Sequence, residues 1–495
     1  METYIKKNSR KTVRIKRVLG LGLICLSVLL LFSTVFIMAC QPKTVPGKTY
    51  YISSSAGDDS ADGLTTLTPL KSFENLEGHV FSPGDKILFK RGDQFGRLYL
   101  KDMGNGTADN PIILGAYGEA NLPNPILDAK GTQAKTLYIT NMSHWTVQDL
   151  KIQGSTSHQF LINPQNAFCD GIKILRCHIN GDKGKNAIRF ETNPKGPEYY
   201  GCRNIEIAYC YIENAGQGLD DISDGINAPN IQLNAYIHHN EFYNNVSEAI
   251  DLSAGKNHRV EYNKINGNGY IHSGGIKTHA LTGNQIHDTE NITIGYNIIY
   301  NCIQHGIAIQ DARNVKVFNN TVYHNHKDSK VALLLGTANE AQYKSENWVS
   351  GNKITNNIFV GNTHNPKQTV IRFTGDRMGS PSTIWNDTAN FKIQNNIIYG
   401  GEDKPALLVR IRKKSFIDFF NVPVEGAQTI EDFFKLHNNN IAVNPDFQDP
   451  DKGDFSLSPN SPAINKGIAH DTKTDVMGNP VVSKPDLGAL ESNIQ

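Results

Sequence analysis

Apolar positions along this chain fall in short, regularly staggered pairs, without the sustained 3.6-residue period of an amphipathic helix. Cys177-His178-Ile179, Cys210-Tyr211-Ile212, Asn240-Glu241-Phe242, Asn263-Lys264-Ile265, Asn297-Ile298-Ile299, Asn320-Thr321-Val322, Asn357-Ile358-Phe359 and Asn396-Ile397-Ile398 share one register. From Asn240 to Asn396 the successive asparagines lie 23, 34, 23, 37 and 39 residues apart. Those gaps suit coils of three short strands, the longer ones carrying loop insertions. Asparagines stacked at a turn can bridge rungs through their amides, and they tolerate left-handed backbone. Independent strands of a sandwich need not repeat one register, so the pattern predicts an all-β parallel solenoid. Two helical segments are expected, a short cap around Pro69 to Glu77 and a later one over Gln428 to Leu436.

A second pattern runs in step with the first. Asn186-Ala187-Ile188-Arg189, Asp224-Gly225-Ile226-Asn227, Glu248-Ala249-Ile250-Asp251, Gly274-Gly275-Ile276-Lys277, His305-Gly306-Ile307-Ala308 and Val331-Ala332-Leu333-Leu334 each join a small residue to a branched apolar one. With the apolar residue facing the core, the next residue faces outward. This predicts a column of Arg189, Asn227, Asp251, Lys277 and Ala308, its neighbours about 4.8 Å apart. A base thus stands directly beside a carboxylate on an exposed face. Glu191, Ser253, His279 and Gln310 fall two residues farther along, and His305 aligns with Glu248.

The N-terminus is of a different kind. The first 17 residues hold seven Lys or Arg and one Glu, and an apolar run follows from Val18 to Ala39. It ends Ile37-Met38-Ala39-Cys40, which resembles a bacterial lipobox with Cys40 as the lipidated residue. The run is also long enough for an uncleaved membrane anchor. Either way, the expectation is an extracytoplasmic protein held at the membrane through its N-terminus. Residues 1–40 then form the signal and anchor, 41–48 a tether, and 49–495 the solenoid. Without the N-terminal charges, the 49 Lys and Arg and 48 Asp and Glu become 42 and 47, about five charges negative. No basic stripe points to nucleic acid. Cys169, Cys177, Cys202, Cys210 and Cys302 remain beyond Cys40, an odd number with no CxxC pair or zinc spacing. Asp58, Asp59 and Asp62 read more readily as a solvated turn than as a calcium loop.

The opening, through Tyr50-Tyr51-Ile52-Ser53, Pro83-Gly84-Asp85-Lys86-Ile87 and Arg91-Gly92-Asp93, resembles the first coils of secreted β-helix carbohydrate-active proteins. The ending does so as well, with Asn444-Pro445-Asp446-Phe447, Ser461-Pro462-Ala463-Ile464 and Pro485-Asp486-Leu487-Gly488. Between them, residues 224–277 resemble the family-nine polysaccharide lyases, which are pectate-lyase-like. The likeness lies in Asp224-Gly225-Ile226, in Asn244-Asn245-Val246-Ser247-Glu248-Ala249-Ile250-Asp251-Leu252, and in Asn266-Gly267-Asn268-Gly269 followed by Gly275-Ile276-Lys277. The resemblance implies a single-stranded right-handed parallel β-helix; the handedness comes from it alone.

It also implies a reaction, abstraction of the C5 proton of a uronate with expulsion of the substituent on C4. That proton is barely acidic until a cation neutralises the adjacent carboxylate. By resemblance Asp224, Glu248 and Asp251 would hold Ca2+, and Lys277 would be the base. Lysine serves as a base near neutral pH only if its pKa is lowered, which an adjacent dication would do. Arg189, His279 and His305 are candidate substrate contacts, Arg189 through a bidentate pair with a second uronate carboxylate. The sequence departs from the family at Ser247 and Glu248, and at Thr278-His279-Ala280, where the family has Leu-Gly-Gly. The expected partner is an acidic polysaccharide, and the expected state a monomer.

Two other functions compete. A glycoside hydrolase needs two carboxyl groups flanking the bond and no metal, and Asp224, Glu248 and Asp251 could supply them. Lys277 argues for the lyase, since a hydrolase has no evident use for it. A non-catalytic glycan-binding surface protein predicts exposed aromatics along the groove, whereas this column is polar. Pro194–Tyr200 and Ala338–Trp348 are expected to set endo or exo action. Asp220 and Asp221 could add a metal ligand.

Overall fold

Each asparagine of the repeat answers the one on the next coil. Asn263 Oδ1 accepts from the backbone N and the Nδ2 of Asn240, at 3.1 and 3.0 Å. Asn297 does the same for Asn263, at 3.0 and 2.9 Å. The chain of amides continues through Asn320, Asn357 and Asn396 to Asn440. Each Nδ2 also donates to a carbonyl of an earlier strand, as from Asn320 to Ile294 O at 2.9 Å. These side chains are buried, so the ladder satisfies backbone groups that the turn would otherwise leave unpaired. The left-handed backbone falls one residue earlier than the sequence suggested. His239, Tyr262, Tyr296, Asn319, Asn356 and Asn395 take φ between 49° and 60°, and the ladder asparagines do not.

The computed structural model describes residues 46–182, 184–191, 200–217, 223–229, 231–267, 272–279, 289–324, 328–336, 351–361, 369–374, 392–400, 407–412, 439–481 and 484–492. Within them the chain winds through three parallel sheets of 16, 11 and 11 strands. It is a parallel β-helix. Ile188, Ile226, Ile250, Ile276, Ile307 and Leu333 stack on successive rungs of one sheet, fully buried. Burying such a side chain contributes about 1.5–3 kcal/mol, so the core is a column repeated rung by rung.

The described helices are two single 3-10 turns, Glu74–Leu76 and Pro450–Lys452. The cap expected over Pro69 to Glu77 is therefore mostly irregular chain. Leu70, Phe73, Leu76 and Phe81 nevertheless bury themselves over the first coil. Asp58, Asp59 and Asp62 accept hydrogen bonds from turn groups, such as Ser60 N, Lys71 N and Leu64 N. The five described cysteines are buried free thiols. Gly47–Gln495 forms one compact unit. Cys40, Asp220 and Asp221, residues 194–199 and 338–348, and Gln428 to Leu436 lie outside the described residues.

Replacing Asn320 by Ala removes the acceptor for Asn297 N and Nδ2 and two donations to strand carbonyls. At about 1–3 kcal/mol for each buried group left unpaired, the expected loss is roughly 3–5 kcal/mol. Chemical denaturation should show it; a loss below about 1 kcal/mol would mean that solvent or a shifted turn replaces the ladder.

Candidate active site

The predicted column is present in full. Cα register places Leu161, Arg189, Asn227, Asp251, Lys277, Ala308 and Leu334 on successive rungs. Its face is less open than strict alternation implies: Asp251 is 6% exposed, and every residue of Glu248–Ser253 is buried.

The reason lies at the sheet corner. In each segment two consecutive residues turn inward, the small one and the branched one. Ala187 and Ala249 belong to the core, and a Cβ on Gly225, Gly275 or Gly306 would meet Phe242, Ile299 or Val322. A bulkier residue would not fit there. The residues on either side of the pair therefore both face outward. This gives a second column, Asn186, Asp224, Glu248, Gly274 and His305, beside the first. Backbone bonds run along it, with Asp224 N donating to Asn186 Oδ1 at 2.7 Å and Glu248 N to Asp224 Oδ1 at 3.1 Å.

Asp224 and Glu248 from one column thus converge with Asp251 from the other. The three buried carboxylates each place an oxygen within 4.8 Å of the others. Lys277 Nζ lies 3.5 Å from Glu248 Oε1 and 3.5 Å from Asp251 Oδ2. His279 Nε2 is 3.1 Å from Asp251 Oδ1 and 2.6 Å from Ser253 Oγ, which itself donates to Asp251 Oδ1 at 2.8 Å. His305 reaches across Gly274 to place Nε2 3.7 Å from Glu248 Oε1. Glycine at that rung leaves room for the imidazole, since a Cβ would stand 2.9 Å from His305 Nε2 and force the ring to shift. Ser247, where the resemblance expects an acid, donates its hydroxyl to Glu248 Oε2.

Arg189 does not touch the carboxylates directly. It donates to Asn227 Oδ1, Asn227 donates to Asp224 Oδ2, and Arg189 Nε lies 3.8 Å from Glu191 Oε1. Asn227 and Asn186 were given no role from sequence, although the former stands in the predicted column. Both orient Asp224.

The electrostatics follow from burying three acids beside one ammonium. Burial, reinforced by Glu248 and Asp251, pushes the Asp224 carboxyl well above its ordinary range. Burial would raise Asp251 too, but His279, Lys277 and the Ser253 hydroxyl hold it well below. Glu248 is likewise lowered against its burial, by Lys277 and His305. Burial would depress Lys277, but Asp251, Glu248 and Asp224 outweigh it and hold the ammonium above its usual range. Burial brings His305 down to about 4, against the pull of Glu248. Once all three carboxylates are ionised, the single ammonium leaves two negative charges in a desolvated site. An all-oxygen donor set with that surplus fits a hard divalent cation such as Ca2+.

Comparisons with known proteins agree on the architecture. A family described as a right-handed β-helix region matches residues 130–342. The structure of pectate lyase Pel9A superposes with a TM-score of 0.55, covering 91% of this chain and 98% of that one at 16% identity. The fold is a right-handed parallel β-helix. A lacto-N-biosidase of glycoside hydrolase family 136 from Eubacterium ramulus superposes with a TM-score of 0.53, over 80% of this chain and 67% of that chain, at 15% identity. In sequence, the lacto-N-biosidase of Bifidobacterium longum subsp. longum is 33% identical over 134 residues, 22% of this chain. That match spans 8% of the biosidase's length.

Proposed function

We propose that this protein is a polysaccharide lyase that cleaves a uronate-containing glycan by β-elimination. The observation that carries the reading is the lysine ammonium within 3.5 Å of two members of a buried three-carboxylate cluster. The structural similarity to pectate lyase Pel9A along nearly the whole chain supports the scaffold for that chemistry. Asp224, Glu248 and Asp251 would hold Ca2+, which when bound neutralises the uronate carboxylate and the charge that develops on it.

The remaining work falls to the chain's own side chains. Lys277 Nζ accepts the proton from C5, and must first be released from the carboxylates that keep it protonated. Asn227 and the Glu248 backbone N–H fix the Asp224 carboxylate, Asn186 holds the Asp224 backbone, and Ser253 with His279 fixes Asp251. His279, 16% exposed in its side chain, meets the substrate beside Lys277, where a glycine would leave open space. His305 is buried behind Glu248 and steadies that residue. Arg189 stands in the same column two rungs from Asp251 and three from Lys277, where a further sugar of the chain would lie. The lipobox-like Cys40 would tether the enzyme outside the cytoplasmic membrane.

A second reading has its own support. Burial and its neighbours push the Asp224 carboxyl up, while His279 and Lys277 hold that of neighbouring Asp251 down, the direction of the split between acid and base in a glycosidase. The stretch resembling a lacto-N-biosidase agrees with it. The two separate cleanly on a panel of uronate and neutral glycans. New ultraviolet absorbance from unsaturated uronate ends, lost with chelator, is expected; reducing ends formed without absorbance would favour the hydrolase.

A further inference from the structure

The sheet that begins with Thr49–Ile52 carries a feature that the linear sequence hides. Its outward column runs Lys173, Glu206, Tyr236, Arg259, Thr293, Lys316, Lys353 and Lys392. The early bases are neutralised within the column or beside it. Lys173 pairs with Glu206 at 2.8 Å, and Arg259 pairs with Glu261 at 2.5 Å while stacking on Tyr236. The last three are different. Lys316, Lys353 and Lys392 stand on consecutive rungs about 4.8 Å apart, and none has an ion-pair partner among the described residues.

Like charges directly opposite on neighbouring strands are destabilising. Three in a row, on a chain expected to be net negative, call for a counter-charge from outside. No basic stripe is visible in the linear sequence because these lysines are far apart in the chain; the register assembles one.

The surroundings shape it into a site. A depression beside the strip is lined by Asn291, Thr293, Asn314, Lys316, Gly351 and Lys353. Along this edge Asn234, Asn257 and Asn291 each donate an amide to the preceding rung. At Gly351 (φ 71°) the row of asparagines stops, and a Cβ there would stand 2.1 Å from Asn314 Oδ1. The missing side chain opens the notch beside two of the lysines.

We infer that this strip is a second binding site, on a different sheet from the carboxylate cluster, for a linear polyanionic glycan. A polymer laid along the solenoid axis sets recurring acidic groups against successive lysines. Asn291, Asn314 and Thr293 offer amides and a hydroxyl to its sugar hydroxyls. The strip is one residue wide, which suits a single extended chain better than a membrane surface, and the depression has no aromatic ring on which bases would stack. The choice of a glycan rests on the proposed function; the strip itself does not.

The test is affinity electrophoresis of the full chain in a non-ionic detergent, with chelator, through gels containing polygalacturonate, dextran sulfate or uncharged dextran. Wild type and Lys316→Gln/Lys353→Gln/Lys392→Gln are compared at low and raised salt. The expected result is retardation of wild type by a polyanionic gel but not by dextran, weakened about tenfold in the variant and with a flatter salt dependence. Unchanged retardation in the variant would overturn the site, as would no retardation of wild type in either polyanionic gel. Strip-dependent binding seen only on phosphatidylglycerol vesicles or single-stranded DNA would also overturn it. Cleavage is scored separately with calcium. Strip-dependent retention without cleavage would leave this site standing and remove the proposed activity, and cleavage without such retention the reverse.

Discussion

Lys277→Ala is expected to lower turnover by about 10²–10⁴-fold, the usual contribution of a positioned acid or base. Stability should also fall in chelator, because Glu248 and Asp251 lose the ammonium 3.5 Å from each of them. Breaking a buried pair in this way costs roughly 3–5 kcal/mol. The two losses have different remedies, which makes the variant informative. A divalent cation restores the compensating charge and should recover much of the stability, but it provides no group to take the C5 proton. Lys277→Arg sharpens the distinction. The guanidinium keeps the positive charge, so folding should approach wild type, yet it does not give up its proton at any working pH. An arginine variant that is stable and inactive fits a base at this position. An arginine variant with near-normal turnover would make Lys277 only a charge partner.

Calcium should raise the unfolding free energy of the wild type by about 2.7 kcal/mol at a hundredfold excess over Kd. Asp251→Asn should abolish most of that gain, since the mutation removes one charge and one oxygen donor from the cluster. The sign of the pH dependence follows from Asp224. Its folded pKa lies well above 3.8, so in the metal-free protein it retains a proton at pH values where a free aspartate has lost it. Cation binding must displace that proton, so affinity should strengthen as pH rises through that folded pKa. Titration calorimetry in two buffers of different ionisation enthalpy would detect the released proton. Identical heats in the two buffers, or no thermal shift with calcium, would remove the metal from the account.

The fold was legible because a solenoid writes its geometry into the chain repeatedly. The Asn240 to Asn396 register required no tertiary information, and neither did the column joining Arg189, Asn227, Asp251 and Lys277. What strict alternation could not show was the corner. Two inward residues in succession, such as Ala249 and Ile250, put Glu248 and Asp251 on the same side, although they are three positions apart. That single departure from period two converts a ladder of surface charges into a buried cluster. Asn227 and Ser253 were visible as polar residues of the right face, but their hydrogen bonds to Asp224 and Asp251 depend on rotamers that no sequence pattern encodes. The lysine strip was hidden for a similar reason, since only pairing across inserted loops brings Lys316, Lys353 and Lys392 together.

The central claim is that the bond is broken by elimination, and a mass balance of the products tests it most directly. A defined uronate oligosaccharide is digested with calcium, and the two fragments are weighed by mass spectrometry. The account predicts fragments whose masses sum to that of the substrate, one of them carrying the new double bond. Fragments whose masses sum to the substrate plus one water would contradict it and make the Asp224–Asp251 pair a hydrolytic one.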